Sequence, residues 1–431
     1  MQREAMTRLI EWKNEPDHLP LIIRGARQVG KTWLMQEFGR RYFDKVAYIN
    51  FENNARMKTL FAGDFDIPRI LLGLEVETDM QISPRDTLLI FDEIQEVPQA
   101  LTSLKYFREN APEYSILAAG SLLGVALHAG SSFPVGKVDF MDLHPMNYLE
   151  FLAATGNDRL LDLLKSRNWD LIHTFRDKYM DLLRHYYIVG GMPEVVASFV
   201  SNGLKNVEQI QARLLAAYEQ DFSKHAPNNI VPRIRQLWNS IPAQLSKDNK
   251  KFIYRQVQEG ARAREYDLAM QWLSDCGLIQ QVKRVTKPHI PLSAYEDPKA
   301  FKIFTLDVGL LAAQSGLSFN TILEGDKIFT EFKGALTEQY VQQQLVSRQF
   351  KLYYWYSAST ELDFLLQKSA DIVPIEVKAE ENLKAKSLRS FYERYRPKYA
   401  IRTSMSNFRR DSWLTNIPLY SIALLDDLLE T

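Results

Sequence analysis

Apolar residues along this 431-residue chain follow two rhythms. Short unbroken apolar runs alternate with stretches whose apolar positions recur every three or four residues. In the N-terminal part, Ala5, Leu9, Ile10 and Trp12 give an opening helix one apolar face, and Asn14-Glu15-Pro16-Asp17 stops it. The run ending at Ile23 reads as a buried strand; Trp33, Leu34 and Phe38 continue a helix to about Arg41; residues 45–51 form a second strand. A third strand, 87–93, follows the turn Ser83-Pro84-Arg85-Asp86. Residues 101–110 read as a helix, 114–121 as a fourth strand and 133–140 as a further strand, with Pro145 marking the exit. Buried strands alternating with helices predict a parallel sheet covered by helices.

Beyond Tyr148 the helical rhythm dominates. Gly190-Gly191 breaks a helix and Pro193 starts the next, which reads as a structural corner rather than a catalytic one. Residues 207–222 are helical, and Pro227 and Pro232 interrupt the pattern. Helices at 234–245, 253–258 and 265–276 follow; the last carries Tyr266, Ala269, Met270, Leu273 and Cys276 on one face and stops at Gly277. Strands at 278–282 and 303–306 complete a winged-helix pattern. The final part reads as a helix (332–349), strands at 351–356, 361–366 and 372–378, a helix (383–395) and a strand (398–402), the order αβββαβ. The chain is expected to be a multidomain α/β protein with segments 1–147, 148–230, 231–325 and 326–431.

Composition narrows this little. Lys plus Arg and Asp plus Glu both total 53, so the formal net charge is zero and any nucleic-acid contact must come from local patches. The single cysteine, Cys276, excludes an intramolecular disulfide and a thiolate zinc cluster, and its apolar helix face predicts a buried structural thiol. The opening residues do not read as a signal peptide, and no apolar run approaches ~20 residues. A cytoplasmic location without a membrane partner is expected.

Candidate chemistry begins at Gly25-Ala26-Arg27-Gln28-Val29-Gly30-Lys31-Thr32, a G-x-x-x-x-G-K-[ST] loop between a strand and a helix. Such a loop curls so that its N–H groups face phosphate oxygens, and the helix that follows favours the same anion. Lys31 is expected on the β/γ-phosphates of ATP and the Thr32 hydroxyl on Mg²⁺. The third strand ends in Asp92-Glu93. Asp92 is expected to hold Mg²⁺ and Glu93 to polarise the attacking water, which makes Lys31 and Glu93 the catalytic pair of an ATPase. Ser121 ends the fourth strand and reads equally as a γ-phosphate sensor or as a Gly-Ser turn.

Arg24 to Thr32, Leu89-Ile90-Phe91-Asp92-Glu93-Ile94-Gln95 and Ala119-Gly120-Ser121 resemble a prokaryotic family of AAA-type ATPases that carry a C-terminal region of undefined function. Phe133-Pro134-Val135-Gly136-Lys137 resembles that family's Phe-Pro-Val-Gly-Arg, with Lys137 where Arg is usual. An arginine-finger role is therefore not carried over, because lysine lacks the bidentate fork. Gly190-Gly191-Met192-Pro193-Glu194 and residues 301–311 match further family signatures. Ring-forming relatives imply a homo-oligomer.

In the last segment, Glu376 and Lys378 stand two apart on one strand and project from one face, and Asp363 lies on a neighbouring strand. With the αβββαβ order this resembles the PD-(D/E)XK nuclease core. That likeness implies a second Mg²⁺ on Asp363 and Glu376, with Glu338 as an optional ligand and Lys378 orienting the attacking water. Many such domains bind DNA without cutting it, and both readings stay open. Lys250, Lys251, Arg255, Arg262 and Arg264 give the winged-helix segment a basic edge, read equally as a DNA contact or a solvated face. Lys384, Lys386, Arg389, Arg394, Arg396, Lys398 and Arg402, with Glu393 the one intervening acid, form a run suited to a phosphate backbone. Two functions follow: an ATPase whose nucleotide cycle controls a DNA-binding or DNA-cleaving module, or an ATP-switched regulator or scaffold whose inactive C-terminal domain acts through protein partners.

Overall fold

Five parallel strands and eight mixed ones form two sheets in a computed structural model, which describes residues 2–120, 134–247, 250–319, 322, 330–357, 360–380 and 385–429, with 330 and 331 as backbone only. The chain divides into two compact units, 1–144 with 275–277, and 145–274 with 278–431. Apart from residues 275–277, which group with the first unit, the segments expected at 148–230, 231–325 and 326–431 lie in the second.

The first unit opens with α1 (Ala5–Asn14), β1 (Leu21–Arg24), α2 (Lys31–Tyr42) and β2 (Lys45–Asn50). No element is expected at 52–82, yet α3 (Ala55–Ala62) and α4 (Ile67–Thr78) form there. Their starts are fixed by capping: the Asn54 side chain accepts from the Met57 amide and the Asp66 side chain from the Arg69 amide. Then come β3 (Thr87–Asp92), α5 (Pro98–Asn110), β4 (Ser115–Gly120) and β5 (Asp139–Asp142). The last begins later than the strand expected at 133–140, of which Phe133 lies outside the described residues.

The strand order is β2-β3-β4-β1-β5, all parallel. Strands β3 and β4 are buried throughout, as helices on both faces require. Phe51, Phe61 and Phe91 pack edge to face with centroids 5.5–6.1 Å apart, filling one side. Strand β4 lies between the strand that feeds the glycine loop and the strand that ends in Asp92. The carboxyl ends of β1 and β3, where ligands of open α/β sheets gather, therefore lie at the same edge of the sheet with β4 between them. Ser121, next after β4, lies outside the described residues.

The second unit is helical to Ser274 and then builds a sheet from β6 (Ile279–Val285), β7 (Glu296–Thr305), β8 (Leu352–Ser357), β9 (Thr360–Lys368), β10 (Asp371–Val377), β11 (Ile401–Ser404), β12 (Arg409–Arg410) and β13 (Thr415–Pro418). Its order is β12-β13-β11-β10-β9-β8-β6-β7. The β6–β7 hairpin expected as the wing of a separate domain instead pairs through β6 with β8 and extends the C-terminal sheet. The element order αβββαβ runs from helix Thr330–Ser347 through β8, β9, β10 and helix Lys386–Tyr395 to β11. Cys276 is buried.

Helix Thr330–Ser347 has little amphipathic character because it is buried on a polar stripe. Gln339 grips both the N–H and C=O of Thr305 at 2.9 and 2.8 Å. Gln343 accepts from the Val308 amide and donates to Asp307 and to the Tyr186 hydroxyl, while Gln344 accepts from the Tyr148 amide. The fully buried Asp307 also accepts from the amides of Gly191 (2.7 Å) and Leu310 (3.1 Å). Burial raises its pKa, and those hydrogen bonds oppose the rise. The Gly190-Gly191 corner is thus a packing device. A Cβ on Gly190 (φ +71°) would fall 2.0 Å from Asp307 Oδ1, and one on Gly191 2.0 Å from the Met146 carbonyl oxygen. Gly190→Ala combines that clash with a left-handed backbone and is expected to cost about 2–4 kcal/mol, measured as a lower urea midpoint of the second unit. An unchanged midpoint would remove this role.

Candidate nucleotide site and C-terminal charge cluster

The glycine loop closes through three constraints. Gly25 (φ +149°) passes so near β5's exit that a Cβ there would lie 2.3 Å from the Leu143 carbonyl oxygen. Gln28 (φ +66°) and Gly30 (φ +95°) turn the chain into the start of α2. Buried Arg3, before α1, holds the outside: its guanidinium donates to the Val29 carbonyl at 3.0 Å and to the His144 carbonyl at 2.6 Å.

Lys31 is buried, and its Nζ donates to the carbonyls of Gly25 and Ala26, both at 2.8 Å. Burial lowers its pKa to about 8; the nearby carboxylates of Glu93 and Asp92 pull it up, and Arg27 pulls it down. The lysine expected on phosphate, the two acids and Arg27 therefore share one electrostatic neighbourhood.

Thr32 Oγ1 donates to Asp92 Oδ2 at 2.7 Å, across the gap between α2 and β3. Asp92 is almost fully buried, and Tyr48 from β2 also donates to its Oδ2, at 2.9 Å. Burial, followed by the charge of Asp92, raises the Tyr48 pKa, so the phenol keeps its proton and remains a donor. A hydroxyl and one carboxylate, both hard oxygen donors, fit Mg²⁺ of the kind completed by substrate phosphates and water. Glu93 follows in the left-handed region (φ +51°), its amide on Asp92 Oδ1 at 3.1 Å. Gln95 Nε2 donates to Glu93 Oε2 at 2.6 Å and fixes the carboxylate's direction. Tyr48 and Arg3 are not among the residues singled out from the sequence, and Gln95 stands there only as the end of a motif, without a role. Lys137, which stands where the resembled signature has Arg, is paired with Glu109 at 3.2 Å.

In the second unit, Asp363 lies one step beyond the last β9–β10 register pair, Ile375 with Phe364, and its Oδ2 accepts from the Val377 amide at 2.7 Å. Glu376, buried near the end of β10, is paired at 2.8 Å with Lys378, the residue just past that strand. The neighbouring charges come from elsewhere. Lys302 on β7 is completely buried, 2.8 Å from Glu361 Oε1, 3.7 Å from Glu338 Oε2 and 3.9 Å from Asp363 Oδ1, with its Nζ 5.1 Å from the centre of the Tyr354 ring. Lys250 pairs with the other oxygen of Glu338.

Burial works to raise the Glu338 pKa, but Lys250 and Lys302 outweigh it and hold it well below the usual carboxylate range. Burial and then the Glu338 charge raise Asp363. Burial would lower Lys302, but Glu338, Glu361 and Asp363 outweigh it. Among the described residues no three Asp, Glu, His or Cys side chains form a metal cage.

Two members of the expected basic surfaces are inside. Lys250 turns inward because Phe252 docks on β7, its amide on the Phe301 carbonyl at 2.8 Å and its ring stacked 5.4 Å from that of Phe301. Arg402, on interior strand β11, is buried and donates to Asn416 at 2.8 Å. Lys251, Arg255, Arg262, Arg264, Lys386, Arg389, Arg394, Arg396 and Lys398 are exposed; Lys384 lies outside the described residues.

Three family models match. Residues 17–152 match the AAA domain, residues 180–321 a domain of unknown function (DUF8612) and residues 333–422 another (DUF4143). Comparison with curated proteins gives no match. Among solved structures, the Walker-type ATPase PABY2304 of Pyrococcus abyssi is 15% identical with a TM-score of 0.46, over 73% of this chain and 95% of that one. The ORC1 protein of Aeropyrum pernix in complex with DNA is 14% identical with a TM-score of 0.27, over 73% and 92%. Drosophila ORC bound to DNA is 14% identical with a TM-score of 0.30, over 69% and 90%. Residues 17–152 thus match an AAA domain, and the five-stranded parallel sheet of the first unit is consistent with a phosphate-loop ATPase fold. Among the described residues, no helix is long and apolar enough to cross a membrane.

Arg3→Ala leaves two carbonyls without their charged donor and is expected to cost the first unit about 1.5–3 kcal/mol. Urea unfolding followed by far-UV circular dichroism reads this, and an unchanged profile would show that the loop is held without Arg3.

Proposed function

We propose that the first unit binds Mg-ATP and hydrolyses it, and that its nucleotide cycle controls a nucleic-acid-binding module in the second unit. The carrying observation is the convergence of Lys31, the Thr32–Asp92 contact and the Gln95-held Glu93 at the carboxyl ends of β1 and β3. Loop amides 25–32 cradle the phosphates, and Lys31 leaves its two carbonyls to meet them. Thr32 and Asp92 hold Mg²⁺, which neutralises phosphate charge. Tyr48 keeps the Asp92 carboxylate aimed. Glu93 orients the attacking water and takes its proton. Lys31→Ala is expected to lose ATP affinity by about tenfold or more, and Glu93→Gln to retain ATP while losing hydrolysis by about 100-fold or more. Equilibrium binding of a fluorescent ATP analogue and phosphate release measure the two. Undiminished turnover in Glu93→Gln would remove Glu93 as the base.

The second unit's function is read from its surface and its charge cluster. Exposed Lys386, Arg389, Arg394, Arg396 and Lys398 suit a phosphate backbone. The DNA-cleaving reading requires a divalent cation on Asp363 and Glu376. Buried Lys302 favours the alternative, a catalytically silent centre: its ammonium stands among Glu361, Glu338 and Asp363 where a cation would sit, Lys250 also pairs with Glu338, and Asp363 is engaged with the Val377 amide. These residues do not fit a metal centre as they stand. The full chain is expected to leave supercoiled plasmid uncut in Mg²⁺ or Mn²⁺. Lys302→Met is expected to destabilise the second unit by about 3–5 kcal/mol, because it leaves buried carboxylates without their cation. Metal-dependent nicking that stops in Glu376→Ala would restore the cleaving reading.

A further inference from the structure

Between helix Lys386–Tyr395 and strands β11 and β13 lies a cleft of about 360 Å³, at the small end of the range for ligand pockets. Its wall carries Tyr392 and Trp413, whose ring centroids are 5.6 Å apart and tilted by 50°. Lys398 and Arg410, both exposed, stand on its rim. Tyr399 also lines it and is anchored by its hydroxyl on the Leu429 carbonyl at 2.8 Å.

The surroundings repeat one pairing of cation and ring. Arg389 lies 5.5 Å from the centre of Trp413, Arg396 5.7 Å from Tyr392, Arg394 5.1 Å from Tyr395 and Lys398 4.8 Å from Tyr399. Carboxylates answer only some of these cations. Glu393 pairs with Arg389, Asp371 with Lys398 and Asp411 with Arg409. Among the described residues no carboxylate pairs with Arg394, Arg396 or Arg410. Arg410 sits on the two-residue edge strand β12, exposed beside the cleft.

Half-buried rings beside unpaired guanidiniums suit a ligand with flat apolar faces joined by anionic links. A phosphate patch alone needs no rings, and an apolar protein groove needs no surplus of cations. We propose that this cleft binds single-stranded nucleic acid, an unpaired base stacking on Trp413 and Tyr392 while flanking phosphates meet Arg410 and Lys398. The proposal rests on the reading that the second unit meets nucleic acid, and it names the strand state and the surface. A base within a duplex is already stacked and paired, so its face is not available to the cleft.

The test is fluorescence anisotropy of the full chain with a labelled oligothymidylate and with a blunt duplex of the same length, over a series of salt concentrations. The single strand is expected to bind more tightly. Trp413→Ala should weaken single-strand binding by about fivefold or more, while Trp413→Phe, which keeps a ring, retains most of it. Arg410→Glu, an exposed change that leaves the core intact, should weaken binding and reduce the salt slope by about 0.7 or more. If the duplex binds as well and Trp413→Ala and Trp413→Phe behave alike, the cleft is no stacking site, although the broader nucleic-acid reading survives. If neither probe binds, both fall.

Discussion

Lys31 is a buried ammonium, and a buried charge must be answered. Here the answer comes from two directions: the carbonyls of Gly25 and Ala26 accept its hydrogen bonds, while Glu93 and Asp92 act on it through space. The surrounding architecture follows from keeping those groups in reach of one another. The order β2-β3-β4-β1-β5 brings the end of β3 and the loop after β1 to the same edge with one strand between them. Gly25 has no Cβ because Leu143 passes too close, and Arg3 fastens the loop from behind. Asp92 is held on one oxygen by Thr32 and Tyr48 and on the other by the Glu93 amide. A phosphate entering this loop would replace the carbonyls as the lysine's partner.

The second unit meets the same constraint without a small ligand. Lys302 is enclosed by Glu361, Glu338 and Asp363, and Asp307 by the amides of Gly191 and Leu310 and by Gln343. Helix Thr330–Ser347 serves both clusters, carrying Glu338 to one and Gln343 to the other. Around Asp307 the buried polar groups are hydrogen-bonded to one another, and such a network fixes one arrangement of the elements that carry it. The Gly-Gly corner and the run through Asp307 and Gly309 therefore read together: each supplies what the other's geometry requires, since a Cβ on Gly309 would fall 2.6 Å from the Gly190 nitrogen.

What was legible in the sequence was what is local. The glycine loop, its flanking strand and helix, and Asp92 at a strand end each occupy a few consecutive residues with a distinctive period. Tyr48, 44 residues before Asp92, was not legible, because only strand pairing brings it there. Lys302 was harder still: it lies in an apolar run, and its carboxylates come from Glu338, Glu361 and Asp363, on one helix and one strand. The same blindness placed Lys250 and Arg402 on basic surfaces, since charge along a chain does not reveal which side chains turn inward. The hairpin β6–β7 looked like a wing because its partner strand, β8, begins 67 residues after β6 ends. Helices α3 and α4 begin at local caps, Asn54 and Asp66, so their starts are legible in consecutive residues.

The central claim is that Lys31, Thr32 and Asp92 are arranged for Mg-ATP. The most direct measurement is a crystal structure of the full chain with Mg²⁺ and a non-hydrolysable ATP analogue. The account predicts that Lys31 Nζ leaves the carbonyls of Gly25 and Ala26 for the terminal phosphates, and that the Thr32 hydroxyl turns from Asp92 to the metal. A nucleotide bound elsewhere, or Lys31 still on its own loop with the phosphates in place, would contradict it.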